Sequence, residues 1–210
     1  EALDDQGPAF NAIITVNPEA LTVADAMDAA FASDPSTVGP LHCIPVIVKD
    51  NKNTKDMPTT GASRALEGMQ TSDDAFVVAK LREAGALMLA KANLTEFAMG
   101  GTTISSLGGQ TKNAYDLSRT PGGSSGGTGA AIAVGMGILG TGSDTGQSIR
   151  SPASANSLVG IRPTRGLLSR SGVIPLSVTQ DEVGPITRTV EDAARMLDAM
   201  AGYGPADPIR

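Results

Sequence analysis

Ile44-Pro-Val-Ile-Val-Lys-Asp50 opens with a β-branched run that stops abruptly at two charged residues and reads as a strand. Working outward from it, Ala12 to Val16 (AIITV) has the same character, and Thr22-Val-Ala-Asp25 reads as a capping box opening a helix through Phe31. The polar stretch from Lys49 to Ser63 reads as loop, which leaves Lys49 at a strand end. Asp73 and Asp74 then open a helix whose Val77, Leu81 and Ala84 fall at i, i+4 and i+7, with Gly85 as the residue that ends it. Ala86 to Ala90 makes the next strand. Beyond a Gly/Ser/Thr-rich stretch from Gly100 to Gly129, Ala130-Ala-Ile-Ala-Val134 is helical by propensity and feeds a strand near Ile138. Thr189-Val-Glu-Asp192 is a second capping box, for a helix ending at Gly202. This alternation predicts an α/β fold with a mixed, largely parallel twisted sheet covered by helices on both faces. No repeat at solenoid spacing and no low-complexity linker interrupts it, so residues 1–210 are expected to form one domain.

Composition narrows the function classes. Of 210 residues 40% are hydrophobic and 18% charged, enough apolar material for one sizeable core. The net charge of −6, with no Lys/Arg cluster interleaved with aromatics, argues against nucleic acid as a partner. The longest apolar stretches, Ala86 to Ala90 and Ala130 to Val134, fall far short of the roughly 20 residues of a membrane-spanning helix. His42 and Cys43 are the lone His and Cys. They allow no internal disulfide and show no zinc-ligand spacing, so no metal or cofactor is expected and both read as structural. No signal-peptide pattern follows Glu1, although a trimmed signal would leave the same sequence. The compartment stays open, with the cytoplasm slightly favoured, and the oligomeric state is not legible.

Three stretches carry chemistry: Ile44 to Asp50, Pro121-Gly-Gly-Ser-Ser-Gly-Gly127 and Gly142-Ser-Asp-Thr-Gly-Gln-Ser-Ile-Arg150. A glycine-rich loop running into a helix leaves backbone N–H groups free to face an anion. Phosphate is a minor option, because the Walker pattern needs a Lys before the Ser/Thr and none stands between Gly122 and Gly129. Gly123-Ser-Ser-Gly-Gly127 also fits the G-x-S-x-G nucleophile elbow of an α/β-hydrolase esterase, with Ser125 as nucleophile. That mechanism needs a histidine after the serine, whereas His42 precedes it. A serine without histidine needs another base, and a desolvated lysine held neutral can serve. Lys49 is the natural candidate.

Taken together these stretches resemble the amidase signature family. Lys91-Ala-Asn-Leu-Thr-Glu-Phe-Ala-Met-Gly100, Gly109-Gln-Thr-Lys-Asn113, Val159-Gly-Ile-Arg-Pro-Thr-Arg-Gly166 and Asp181 to Ala193 resemble further family blocks in the expected order. The resemblance implies an amidase signature fold and a hydrolase that cleaves amide, peptide amide, aryl acylamide, ester or carbamate bonds through an acyl-enzyme. It implies Ser148 as nucleophile, Ser124 as proton relay after a cis peptide at Gly123, and Lys49 as ultimate base. It implies an oxyanion hole from the backbone N–H groups of Thr145, Gly146, Gln147 and Ser148. Ser125 would support Ser124, and Asp144 and Arg150 would hold the loop. Family members are considerably longer, so the chain is expected to be an amino-terminal piece whose carboxy-terminal complement has no counterpart after Arg210.

Each residue also has a plainer reading. A strand-end lysine is ordinarily solvated, and a Gly/Ser loop is ordinarily a flexible turn. Met99 either fills a core gap or touches substrate beside Gly100 and Gly101. A non-catalytic homologue or a scaffold component of an amidotransferase would keep the same loops. The chain departs from the family pattern at Cys43 and at Gln147, where glycine is usual.

Overall fold

The computed structural model describes residues 2–209; the ends of the expected domain, Glu1 and Arg210, lie outside the described residues. Six strands form one mixed sheet in the order β1 (Ile13–Val16), β3 (Leu87–Ala92), β2 (Pro45–Lys49), β6 (Leu139–Asp144), β8 (Glu182–Thr187), β7 (Val159–Gly160). Parallel pairing is confined to the centre, β3 with β2 and β2 with β6, while β1, β8 and β7 join antiparallel. A two-stranded ribbon, β4 (Ile104–Ser105) with β5 (Gly109–Gln110), stands apart. Among the described residues no helix is long and apolar enough to cross a membrane.

The central strand shows why its sequence is apolar throughout. Side chains alternate between faces along a strand. Val46 and Val48 therefore pack with Val77, Val78 and Leu81 of helix α2 (Phe76–Glu83) and with Met196 and Met200 of helix α5 (Val190–Met200). Ile47 points the other way, onto Ala130, Ala131 and Ile132 of helix α3 (Gly126–Ala133). By the same alternation Lys49 shares the face of Ile47, and it is at the start of α3 that the chain delivers Ser124 and Ser125.

That helix lies unusually close to its neighbours. A Cβ on Gly127 would sit 2.3 Å from the carbonyl oxygen of Asn93 and 2.6 Å from that of Ala12, and one on Gly126 would sit 2.2 Å from Thr103 Oγ1. Glycine is required here for approach rather than for flexibility, which corrects the plain reading of this loop.

Helix starts depart from the local signals. Helix α1 (Ala20–Ser33) begins two residues before Thr22 and lacks a side-chain cap. Asn17 nucleates it instead, accepting from the Glu19 N–H at 2.9 Å. Asp74 does not cap α2. It accepts the Lys55 N–H at 2.9 Å and pairs with Arg82 at 2.9 Å, tertiary uses that outcompete the capping role. Thr189 does cap α5, its hydroxyl accepting from the Asp192 N–H at 3.0 Å. A short helix, α4 (Arg150–Ala155), follows β6 after one loop.

Three lysines, Lys49, Lys52 and Lys91, are fully buried. Lys91 extends β3 past the expected Ala90 because its ammonium finds partners inside: Asp50 at 2.8 Å, the Pro58 carbonyl at 2.7 Å and Thr59 Oγ1 at 2.9 Å. Lys52 has one partner among the described residues, Asn51 Oδ1 at 3.3 Å. Burial first, and the positive Lys49 and Lys91 next, push its pKa well below the ordinary 10.5. The folded chain thus surrenders a proton that the unfolded chain keeps, and stability rises with pH up to the unfolded pKa, by up to about 1.4 kcal/mol per pH unit for one group. Relative to wild type, Lys52→Met is expected to gain stability as pH falls from 10 to 7. Urea unfolding at four pH values reads this directly, and parallel stability profiles for the two proteins would contradict it.

Candidate active site

Four segments converge where β2 ends. Lys49 Nζ lies 2.7 Å from Ser124 Oγ and 2.9 Å from Ser143 Oγ, with the Ser143 carbonyl at 3.4 Å. Ser143 is reached because β2 and β6 are parallel neighbours, and Thr141 on β6 accepts the Lys49 N–H at 3.0 Å. The Ser143 hydroxyl also accepts from Asn51 Nδ2 at 3.0 Å, and Asn51 Oδ1 in turn receives Lys52. The result is one continuous buried network from Lys52 to Ser124. Burial lowers the Lys49 pKa to about 7, against the opposing pull of Asp144 and Asp181. At neutral pH a large share of this amine is therefore uncharged.

Ser124 and Ser125 are both fully buried but differently engaged. The Gly123–Ser124 peptide is cis. The Ser124 carbonyl accepts from the Thr95 N–H at 3.1 Å. Thr103 Oγ1 donates to the Gly122 carbonyl at 2.8 Å and accepts the Gly126 N–H at 3.1 Å, bracing the same turn. The Ser125 hydroxyl donates to the Ser143 carbonyl and accepts the Ser143 N–H, each at 3.3 Å, while its backbone N–H donates to the Ser148 carbonyl. Ser125 stitches α3 to β6 and has no base beside it.

The loop from Thr145 to Ser148 is shaped by Asp144. Its buried carboxylate accepts the N–H groups of Ile149 at 3.1 Å and Arg150 at 3.4 Å, and pairs with Arg150 Nε at 3.1 Å and Arg162 Nη1 at 2.9 Å. Burial opposes ionisation of this carboxyl, but the hydrogen bonds from Arg150, Ile149 and Arg162 outweigh it and hold its pKa below the usual range. With those donors fixed, the backbone N–H groups of Thr145, Gly146, Gln147 and Ser148 have no hydrogen-bond partner among the described residues. Consecutive free N–H groups form a concavity suited to an anion. The Ser148 hydroxyl makes no hydrogen bond among the described residues, and the residue is 7% exposed.

The remaining expected residues form the rim. Gln147 is exposed, and its amide lies against the Gly100–Gly101 loop: a Cβ on Gly101 would stand 2.7 Å from Gln147 Nε2, and one on Gly123 would stand 2.7 Å from the Gly101 carbonyl carbon. Met99 is 69% exposed, so it fills no core gap. Behind the loop opens a cavity of about 140 Å³, walled by Asn51, Ser143 and Thr145 on one side and by Val173, Ile174 and Leu176 on the other. Thr145 Oγ1 donates to Asp181 Oδ1, whose carboxylate also accepts the Leu176 and Ser177 N–H groups at 2.8 and 2.9 Å.

Sequence reasoning overlooked Ser143, Asn51 and Asp181. Asn51 stands directly after the Lys49-Asp50 pair and was open to notice. Ser143 shares a face with Thr141 only once β6 is known to run to Asp144, and Asp181 joins the loop solely through the antiparallel return of β8.

A family model described as Amidase matches residues 2–210. The A subunit of glutamyl-tRNA(Gln) amidotransferase from Maridesulfovibrio salexigens is 47% identical over 208 residues, covering 99% of this chain and 42% of that protein. Its namesake from Gloeobacter violaceus is 48% identical over 210 residues, again 99% and 42%. Native peptide amidase from Stenotrophomonas maltophilia superposes with a TM-score of 0.94 at 45% identity, over 99% of this chain and 43% of that one. The amidotransferase A subunit from Thermotoga maritima gives 0.81 at 41% identity, over 90% and 45%. The chain spans about two fifths of the length of the curated relatives it matches. With the family model running to the last residue and close to half of all positions identical in these relatives, the chain belongs to the amidase family.

Proposed function

We propose that this chain is the amino-terminal part of a hydrolytic domain that cleaves amide or related acyl bonds, with Ser148 as nucleophile, Ser124 as relay and Lys49 as base. The observation that carries the reading is a fully buried lysine amine 2.7 Å from the Ser124 hydroxyl, set beside a loop whose N–H groups have no partner among the described residues. On substrate binding the free Ser148 hydroxyl turns onto Ser124, a contact of the kind that tightens only in the complex. Ser148 Oγ attacks the carbonyl carbon, passing its proton to Ser124 Oγ as the Ser124 proton moves to Lys49 Nζ. The carbonyl oxygen gains the negative charge and takes hydrogen bonds from the Thr145–Ser148 N–H groups, each worth roughly 10²–10³-fold by analogy with other hydrolases. Collapse breaks the C–N or C–O bond, the leaving group recovers the proton through Ser124, and water repeats the sequence on the acyl-enzyme. A lysine of ordinary pKa would be charged at neutral pH and could accept nothing; burial removes that obstacle.

Likeness to a peptide amidase structure supports carboxamides and peptide amides within the candidate range of amides, aryl acylamides, esters and carbamates. Likeness to amidotransferase A subunits supports a second reading, in which the same chemistry releases ammonia for a partner. A non-catalytic scaffold leaves the buried neutral amine without use, and the elbow reading conflicts with the commitment of Ser125 to Ser143.

A fluorophosphonate probe is expected to label Ser148, located by peptide mass spectrometry, and Ser148→Ala is expected to abolish labelling and cut amide turnover by about 10³-fold or more with the fold intact. Labelling at Ser125 would overturn the assignment.

For the base, kcat/KM should rise about tenfold per pH unit below about pH 7 and level above it, because only neutral Lys49 accepts the proton. Lys49→Met is expected to remove this ionisation together with most of the rate. An unchanged profile in that variant would assign the ionisation to another group.

Gln147→Gly leaves the backbone donor in place and removes only an amide that lies against Gly101. Rates should change by less than about tenfold while preference among leaving groups shifts, since backbone donation is independent of the side chain. Kinetics on a panel of amides and esters measure this, and a loss as deep as that of Ser148→Ala would make the side chain itself essential.

A further inference from the structure

We propose that Asp28, His42 and Cys43 form a binding site for a borderline-soft divalent cation of the zinc type, at the end of the sheet opposite Lys49. Cys43 Sγ lies 3.7 Å from His42 Nε2 and 3.9 Å from Asp28 Oδ1, and all three donor atoms fall within 4.8 Å of one another. On a tetrahedral zinc with Zn–S about 2.3 Å and Zn–N or Zn–O about 2.0–2.1 Å, neighbouring donors stand about 3.5 Å apart. Both sulfur edges are therefore within a few tenths of an ångström of a ligating arrangement.

The surroundings hold the donors where they are. The His42 ring stacks on Phe31, with centroids 5.6 Å apart and planes inclined by 24°. Phe31 stands one turn after Asp28 on α1, so one helix face supplies both the carboxylate and the surface that orients the imidazole. The turn bearing His42 and Cys43 is tied down from the other side, Leu41 N–H donating to the Ala84 carbonyl at 2.8 Å and Cys43 N–H to the Gly85 carbonyl at 3.0 Å. Cys43 itself adopts φ +58°, a left-handed conformation in which a Cβ is strained. That conformation sets the thiol beside its own neighbour in sequence, His42.

Spacing along the sequence hides this site, because the third donor comes from α1. The Cys43 thiol now donates to Asp28, and burial first, then Asp28, raise its pKa, so the metal must displace the thiol proton to solvent on binding. The resulting thiolate, imidazole and carboxylate suit zinc rather than magnesium or calcium, which take oxygen donors throughout. Asp28 is exposed and the other two donors are half-buried, so a water completes the fourth position. The strand between Cys43 and Lys49 separates this site from the proposed chemistry by roughly 20 Å. The cation would act as a staple between α1 and the entry to β2, stabilising the folded state that binds it.

The metal-stripped protein titrated with Co²⁺ is expected to show near-ultraviolet thiolate-to-cobalt absorption saturating at one equivalent, displaced by Zn²⁺, with Zn²⁺ raising Tm. Cys43→Gly relieves the strained φ and so keeps the fold, yet should abolish the band and the Zn²⁺-dependent rise. Asp28→Asn and His42→Gln should each weaken binding by about tenfold or more. Cobalt binding without a thiolate band, saturation only at millimolar metal, or the same Zn²⁺ response in Cys43→Gly would each overturn the site.

Discussion

The hydrogen-bonded contact between Lys49 Nζ and Ser124 Oγ is the constraint around which the molecule is arranged. A buried amine is costly unless it is neutral or paired. The chain meets the two cases side by side on adjacent strands. Lys91 is given Asp50 in direct contact, a charge that favours the ammonium. Lys49 is given hydroxyls and a carbonyl instead, and its pKa falls to about 7. Burial lowers the pKa of both lysines, but Asp50 opposes that shift at Lys91 by direct contact, whereas Lys49 has only hydroxyls and a carbonyl beside it.

Keeping Lys49 near neutrality requires that the nearest acids not restore its charge. Asp144 does raise the Lys49 pKa, and it sits on the strand beside it. Arg150 and Arg162 both pair with this carboxylate, so much of its field is spent locally. The same hydrogen bonds fold the Thr145–Ser148 loop and divert the following N–H groups away from it. One carboxylate thereby shapes a cradle for negative charge without presenting its own, and loss of either arginine would disturb loop and base together.

Local signals served well where they were not contested. The strand in Ile44–Val48, the position of Lys49 at its end and the Thr189 cap all follow from residue types within a few positions. Asp74 looked like a helix cap and is not one, because Arg82 and Lys55 use it first. The parallel centre follows from strand–helix alternation, but the antiparallel arrival of β1, β8 and β7 is decided by long-range pairing that no local pattern encodes. Asp181 joins the site only through that return of β8, and Ser143 only through the extent of β6 beside β2. For the glycines of Gly122–Gly129 the sequence allows both a flexible turn and close approach, and the neighbours decide for close approach, joined at Gly122 by a left-handed backbone of φ +76°.

Close packing also explains why the site needs so many small residues at once. For Ser124 to reach a lysine on the buried face of β2, the start of α3 must lie nearly on top of the sheet, and Gly126 and Gly127 leave no room for a methyl group there. Gly123 must simultaneously pass against Gly101, whose other side meets Gln147. The Gly100–Gly101 loop, the Ser124 turn and the Thr145–Ser148 loop therefore constrain one another through backbone rather than through long side chains. Such a site gains rigidity at little side-chain entropy, and it leaves Gln147, with Met99, as a sizeable exposed side chain at the mouth. Variation at that position has the freedom to alter what approaches the free N–H groups without disturbing how they are held.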